Sequence, residues 1–172
     1  MEAIRQLNRE DDLSSLIALS KEFFEEYAAH HRELFQIGEL RDTQIADYFA
    51  RSTGSADSAT FVAVLDGRAV GYITVHVRPQ EEFYKVKQVG AISGLMVHRD
   101  HRREGIATRL LAEARAFFLR HGIRYFTVYT AVANQAALEF YERSGMTALH
   151  TTLIGETGSR EPGTFCSSGK VT

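Results

Sequence analysis

The stretch from Ala91 to Leu111 constrains this chain more than any other. An apolar, strand-like run from Ala91 to Val97 enters a short basic turn, His98-Arg99-Asp100-His101-Arg102-Arg103-Glu104-Gly105. An amphipathic helix leaves it, with Ile106, Leu110, Leu111, Ala114, Phe117 and Phe118 as a core-facing stripe. Arg120-His121-Gly122 ends that helix with a cationic last turn and a glycine just past the end. Ile123 to Thr130, rich in β-branched and aromatic residues, reads as the next strand. Strand, helix and strand form a βαβ unit, so the two strands should be parallel. The turn also has a chemical consequence. The first N–H groups of a helix lack internal partners, and the helix dipole favours negative charge there. Gly105 removes the side chain that would block a ligand, Ala107 keeps the next turn slim, and Arg102, Arg103 and Arg109 add positive charge.

Other elements follow from local signals. Ala3 to Leu7 suits a short first strand, and Asp11 or Asp12 can cap a helix to about Tyr27. A second helix follows Asp42-Thr43, with Ile45, Tyr48 and Phe49 on one face. Phe61 to Leu65 and Val70 to Val77 are strands joined by Asp66-Gly67, a hairpin turn signal. In the second of these, Ile73, Val75 and Val77 face one way, and Tyr72, Thr74 and His76 the other. Arg78 to Lys87 reads as an exposed loop or strand edge. Asn134 can cap a helix over Gln135 to Ser144, and Met146 to Ile154 should be a final strand. The expected fold is a single α/β domain over residues 1–155, a mixed sheet with a central βαβ unit. Residues 156–172, rich in Gly, Ser and Thr, should form a flexible tail.

Composition narrows the function. No apolar run approaches the ~20 residues that span a membrane. No basic segment followed by an apolar core opens the chain, so a cytoplasmic location is expected. Cys166, the single cysteine, excludes an internal disulfide or a Cys-rich metal site, and no metal site is expected. There is no Walker lysine and no Gly-x-Gly-x-x-Gly after a strand, and basic and aromatic residues do not interleave as in nucleic-acid binders. Neither nucleic acid nor membrane is an expected partner. Charge is uneven: residues 1–60 carry −6 and residues 61–172 carry +4. Such counts also describe two solvated faces, but they lean toward an anionic ligand for the second part and a cationic one for the first.

Two segments together resemble a known family. Arg102-x-x-Gly105-x-Ala107 is similar to the Gln/Arg-x-x-Gly-x-Gly/Ala signature of the GNAT superfamily of N-acetyltransferases. Asn134-Gln135-Ala136-Ala137-Leu138-Glu139-Phe140-Tyr141-Glu142-Arg143-Ser144-Gly145-Met146 is similar to its Asn-x-x-Ala-x-x-Phe-Tyr-x-x-x-Gly-Phe segment, with Met146 for the usual Phe. The resemblance implies a GNAT-like sheet whose two parallel strands splay apart, with acetyl-CoA as co-substrate. Its pyrophosphate would sit on the backbone N–H groups of Arg103, Glu104, Gly105, Ile106, Ala107 and Thr108, with the guanidinium groups, that of Arg102 included, as a positive surround. Its pantetheine arm would lie along Leu95, Met96 and Val97 as a pseudo-strand and be anchored by Asn134.

The resemblance also implies an N-acetyltransferase reaction. A primary amine, small molecule or peptide, attacks the thioester directly, and Tyr141 protonates the leaving thiolate. Members that acetylate protein N-termini carry a glutamate five residues before the asparagine, where Tyr129 stands here. That argues against this subgroup. Glu81, Glu82, His76 and Ser93 through water are then the candidate bases. The acidic first 60 residues lean toward a cationic small-molecule acceptor. The alternatives are a non-catalytic acyl-CoA-binding regulatory module, an enzyme for longer acyl chains, and an interaction protein with a decayed pocket. The family often pairs through its terminal strands, so a homodimer is compatible with the resemblance. Acceptor, general base, acyl-chain preference and oligomeric state are not legible in the sequence.

Overall fold

The computed structural model describes residues 3–31, 33–155 and 157. Strand β1 (Ala3–Gln6) is followed by helices α1 (Ser14–Ala28) and α2 (Asp42–Ser52). Strands β2 (Ser58–Leu65), β3 (Arg68–Pro79) and β4 (Gln88–Val97) come next. Helix α3 (Ile106–Arg120), strand β5 (Phe126–Val128) and helix α4 (Gln135–Arg143) complete the order. The strands form one sheet in the order β1-β2-β3-β4-β5. The first four are antiparallel, and β4 pairs with β5 in parallel, as the βαβ reading requires.

Alternation along the strands divides the core. Phe61, Ile73, Val75, Ile92 and Val97 pack against Ile106, Leu110, Phe117 and Phe118 of α3. Val62, Tyr72 and Met96 point the other way, against Leu16 and Leu19 of α1 and Ile45 and Phe49 of α2. Each fully buried large apolar side chain contributes about 1.5–3 kcal/mol, so the α3 stripe is what holds that helix to its face. On the α1/α2 face three buried hydroxyls satisfy one another: Ser52 lies 2.8 Å from Thr60, and Thr60 2.9 Å from Thr74.

Local signals translate directly. Asp66 and Gly67 take φ values of +49° and +79°, the two left-handed residues of a tight hairpin turn. Asp12, not Asp11, serves the start of α1, accepting the Ser14 N–H at 2.9 Å. Asp11 is held by both guanidinium nitrogens of Arg5, at 2.7 and 2.8 Å.

Two expectations fail. Beyond Ile123, only Phe126–Val128 pairs as a strand, and no strand forms over 146–154 among the described residues. A strand needs an edge that meets its backbone groups along its length. The three residues of β5 offer too little edge, and Leu149, Leu153 and Ile154 remain exposed. The segment touches β5's end through side chains instead, the Thr152 hydroxyl lying 2.5 Å from that of Tyr129. The tail expected over 156–172 lies, but for Thr157, outside the described residues.

The approach of α3 to β4 depends on Gly90, where an added Cβ would stand 2.5–2.8 Å from the Phe118 ring. Overpacking of this kind costs about 1–3 kcal/mol. Gly90→Ala should therefore lower Tm by roughly 2–12 °C in a thermal melt.

Candidate active site

The site begins with a defect in β4. Register with β3 pairs Thr74 with Gly94 and Val75 with Ile92, so Ser93 is an extra residue, a β-bulge. Pairing with β5 covers only Gly90 to Ile92. Past the bulge, Leu95, Met96 and Val97 keep β3 on one side and have no strand on the other among the described residues. The parallel strands are therefore splayed, with Ser93 at the irregularity. Met96 and Val97 are buried and Leu95 packs on the α3-side core, so their side chains are committed and their backbone edge is what remains.

The turn after β4 is shaped by local bonds. The His98 Nδ1 accepts the Asp100 N–H at 3.3 Å, starting a single 3₁₀ turn over Arg99–His101. Arg103 and Gly105 then take φ values of +66° and +78°. Alternation of left-handed and ordinary backbone turns successive N–H groups inward as an anion-holding nest, continued by the first turn of α3. No acceptor among the described residues meets the N–H groups of Arg103, Glu104, Gly105, Ile106, Ala107 and Thr108. The first N–H to close on the helix side is that of Arg109, onto the Gly105 carbonyl at 3.1 Å.

The expected ring of guanidinium groups needs correction. Arg102 folds away from the nest: its Nε donates to the Val97 carbonyl at 2.9 Å, and an Nη to Glu26 Oε1 at 2.6 Å. Glu22, one helical turn earlier, brings Oε1 within 3.5 Å of His98 Nε2. Spacing of four puts both carboxylates on one face of α1, against the turn. Glu104 is likewise occupied, with a carboxylate oxygen 3.6 Å from His101 Nδ1. Arg102 thus anchors the turn to β4 and α1, and its backbone alone adjoins the nest. Arg103 and Arg109 are exposed.

Helix α4 supplies the remaining expected residues. Asn134 caps it, Oδ1 accepting the Ala137 N–H at 3.2 Å, and its side-chain NH₂ is left for another partner. Tyr141, 8% exposed, is pushed well above the ordinary phenol range by burial, so it stays protonated at neutral pH. A cleft of about 290 Å³ runs between α3 and α4 past Thr108, with Arg115 and Arg143 on its rim. No motif pointed to those two arginines.

The opposite, α1/α2 face of the split carries Ser93 and His76, in contacts that spacing did not reveal. Ser93 is held at 2.7 Å from the Tyr48 hydroxyl of α2. On β3 the cover of the helices runs out: Tyr72 and Thr74 are buried, His76 is partly open, and Arg78 is exposed. His76 is shifted below the ordinary imidazole value, first by burial and then by Arg78. Glu81 and Glu82 lie in the exposed loop beyond β3. Among the described residues there is no cluster of three metal-ligating side chains, and no helix is long and apolar enough to cross a membrane.

A splayed pair of parallel strands, a nest at the end of one and a capped helix after the other frame the site of this mixed α/β fold. The sequence profile of the acetyltransferase (GNAT) family matches residues 16–146, and the chain belongs to that family. It is thereby an acyltransferase by class. An uncharacterized N-acetyltransferase of Archaeoglobus fulgidus is 27% identical over 120 residues, 70% of this chain and 81% of the relative. An uncharacterized N-acetyltransferase of Methanocaldococcus jannaschii is 29% identical over 98 residues, 57% of this chain but 43% of the relative's length. Among solved structures, aminoglycoside acetyltransferase AAC(6')-Iy in complex with the bisubstrate analogue CoA-S-monomethyl-acetylneamine is similar in fold. It shares 20% identity over 92% of this chain and 99% of its own, with a TM-score of 0.72.

The bonds of Arg102 give a stability test. Losing hydrogen bonds to a carboxylate and a carbonyl on a partly exposed group costs about 1–2 kcal/mol. Arg102→Ala should lower Tm by roughly 2–8 °C, and Glu26→Ala by less, since the Val97 bond survives.

Proposed function

We propose that the protein is an N-acetyltransferase that moves the acetyl group of acetyl-CoA to a primary amine. One observation carries the reading: among the described residues, a nest of N–H groups without acceptors adjoins a strand edge without a partner. A pyrophosphate followed by an amide-bearing arm is a ligand that needs both. The pyrophosphate lies on the N–H groups from Arg103 to Thr108, and the pantetheine arm extends the sheet along Leu95 to Val97. The Asn134 NH₂ is available to a carbonyl of the arm.

The thioester then lies in the split beside the bulge. The amine nitrogen attacks its carbonyl carbon, a C–N bond forms, and the intermediate collapses with loss of the C–S bond. Backbone N–H groups on the open edge near Val97 polarise the carbonyl oxygen. Tyr141 gives its phenolic proton to the departing thiolate, and burial keeps that proton in place until it is needed. An alkylammonium with pKa ~10.4 must lose a proton before attack. Of the four candidate bases, His76 fits best, since it lies on the face that α3 leaves free and its lowered pKa keeps it neutral. It takes the proton through water. Ser93, held by Tyr48, lines the same opening.

Acetyl-CoA should bind the protein in a calorimetric titration, and absence of binding would overturn the reading. Tyr141→Phe should bind it with similar affinity while kcat falls by about 10²–10⁴. A variant at full kcat would remove Tyr141 as the acid, whereas acetyl-CoA binding without transfer to any amine in the unaltered protein would favour the non-catalytic acyl-CoA-binding alternative.

The pH profile tests the base. His76 accepts a proton only above its pKa, and that pKa lies below the ordinary ~6.5. The acidic limb of kcat should therefore fall below about pH 6.5 and disappear in His76→Gln. The Tyr141 limb should stay beyond about pH 10, its ordinary value, because burial moves it upward.

A further inference from the structure

The open face beside the split bears an arrangement that selects an acceptor. Arg78 stands opposite Val89, yet its guanidinium reaches diagonally across β4 and donates to the Thr127 hydroxyl of β5 at 3.3 Å. Thr127 faces away from α3, since its neighbour Phe126 stacks on Phe118. The guanidinium therefore lies over the sheet on the α1/α2 side, at the base of the split and one rung from Ser93. Among the described residues no carboxylate pairs with it, including Glu81 and Glu82, its nearest acids in sequence. His76 stands beside it, close enough to lose proton affinity to its charge.

The acidic surplus of the first 60 residues is partly consumed elsewhere. Asp11 is paired with Arg5, Asp42 with Lys21 and Glu26 with Arg102, and Glu22 stands beside His98. Arg78 places a positive charge on the floor of this opening, and a polycation would meet repulsion from it.

Resting on the acetyl-transfer reading, we propose that the acceptor is an amine that also carries a carboxylate, and that Arg78 with Thr127 holds it. The guanidinium fork matches a carboxylate in two parallel hydrogen bonds. The Thr127 oxygen accepts from Arg78, leaving its own hydrogen for the same carboxylate. Held there, the anionic end fixes the amine toward Ser93 and the thioester, with His76 alongside to take the proton. Arg78 and Thr127 are specificity determinants and take no part in bond making.

The test is a thiol-release assay with acetyl-CoA and L-amino acids, each beside its carboxamide, with spermidine and neamine as cationic probes. Each carboxylate that reacts should exceed its carboxamide in kcat/KM by about tenfold or more, the scale of hydrogen bonds to a charged group. Arg78→Gln should erase that ratio by raising KM for the carboxylate, with acetyl-CoA affinity unchanged. Titration of the same amino acids into the protein reads the anchor without any transfer, and binding should weaken in Arg78→Gln. Preference for spermidine or neamine, equal use of carboxylate and carboxamide, or amino-acid binding indifferent to Arg78 would overturn the proposal. Failure of acetyl-CoA to bind would instead overturn the donor reading, while the titration still decides the anchor.

Discussion

One extra residue in β4 governs the rest of the structure. With Ser93 inserted, the strand satisfies β3 along its whole length but leaves β5 after three rungs. A bulge sharpens local twist, so two parallel strands that start together must diverge beyond it. Divergence leaves backbone donors and acceptors on an inner edge, which a folded chain does not leave unmet in a dry interior. The edge is therefore either wet or paired with something that brings its own amides. In the proposed reading a pantetheine arm is such a partner, and the co-substrate completes the sheet where no strand does.

The turn at the end of β4 shows how charge and backbone divide their work. Three arginines in eight residues read as an electrostatic cradle, but the structure spends Arg102 on the fold. Its guanidinium closes the Val97 carbonyl and ties α1 to the turn, which fixes where the N–H groups of the nest point. Preorganised N–H groups hold an anion without reorganising, whereas a mobile surface arginine pays side-chain entropy for each contact. The positive φ of Gly105 is what lets α3 start at that angle, and no Cβ stands above the nest.

What the sequence made legible follows from range. Asp66-Gly67, the stripe Ile106 to Phe118, the Gly122 and Gly145 ends and the Asn134 cap each depend on residues within one or two helical turns, and all are found. The family motifs are of the same local kind. Ser93 as the bulge, the inward turn of Arg102, the short β5 and the missing pairing of 146–154 depend on register between strands far apart in sequence. Tyr48 meeting Ser93 and Arg78 reaching Thr127 join residues 45 and 49 positions apart, so no window along the chain contains either pair. The charge balance is coarse for a related reason: it counts acids without knowing that several already face bases within the fold.

Separation by the sheet also explains how two proton-handling groups coexist in the proposed reaction. Tyr141 belongs to the helix that follows β5 and packs with Phe140, which lies against the α3-side core. His76 lies on the other face. Burial acts on both, raising the phenol and lowering the imidazole, because in each case it disfavours the charged form. The outcome at neutral pH is one neutral acid and one neutral base with a thioester between them. Amine acetylation asks for that pairing: a proton leaves the incoming nitrogen on one side and reaches the departing sulfur on the other. Burial is the larger cause of both shifts, so in the proposed reading Arg78 can serve the acceptor while its charge only adds to the shift of His76.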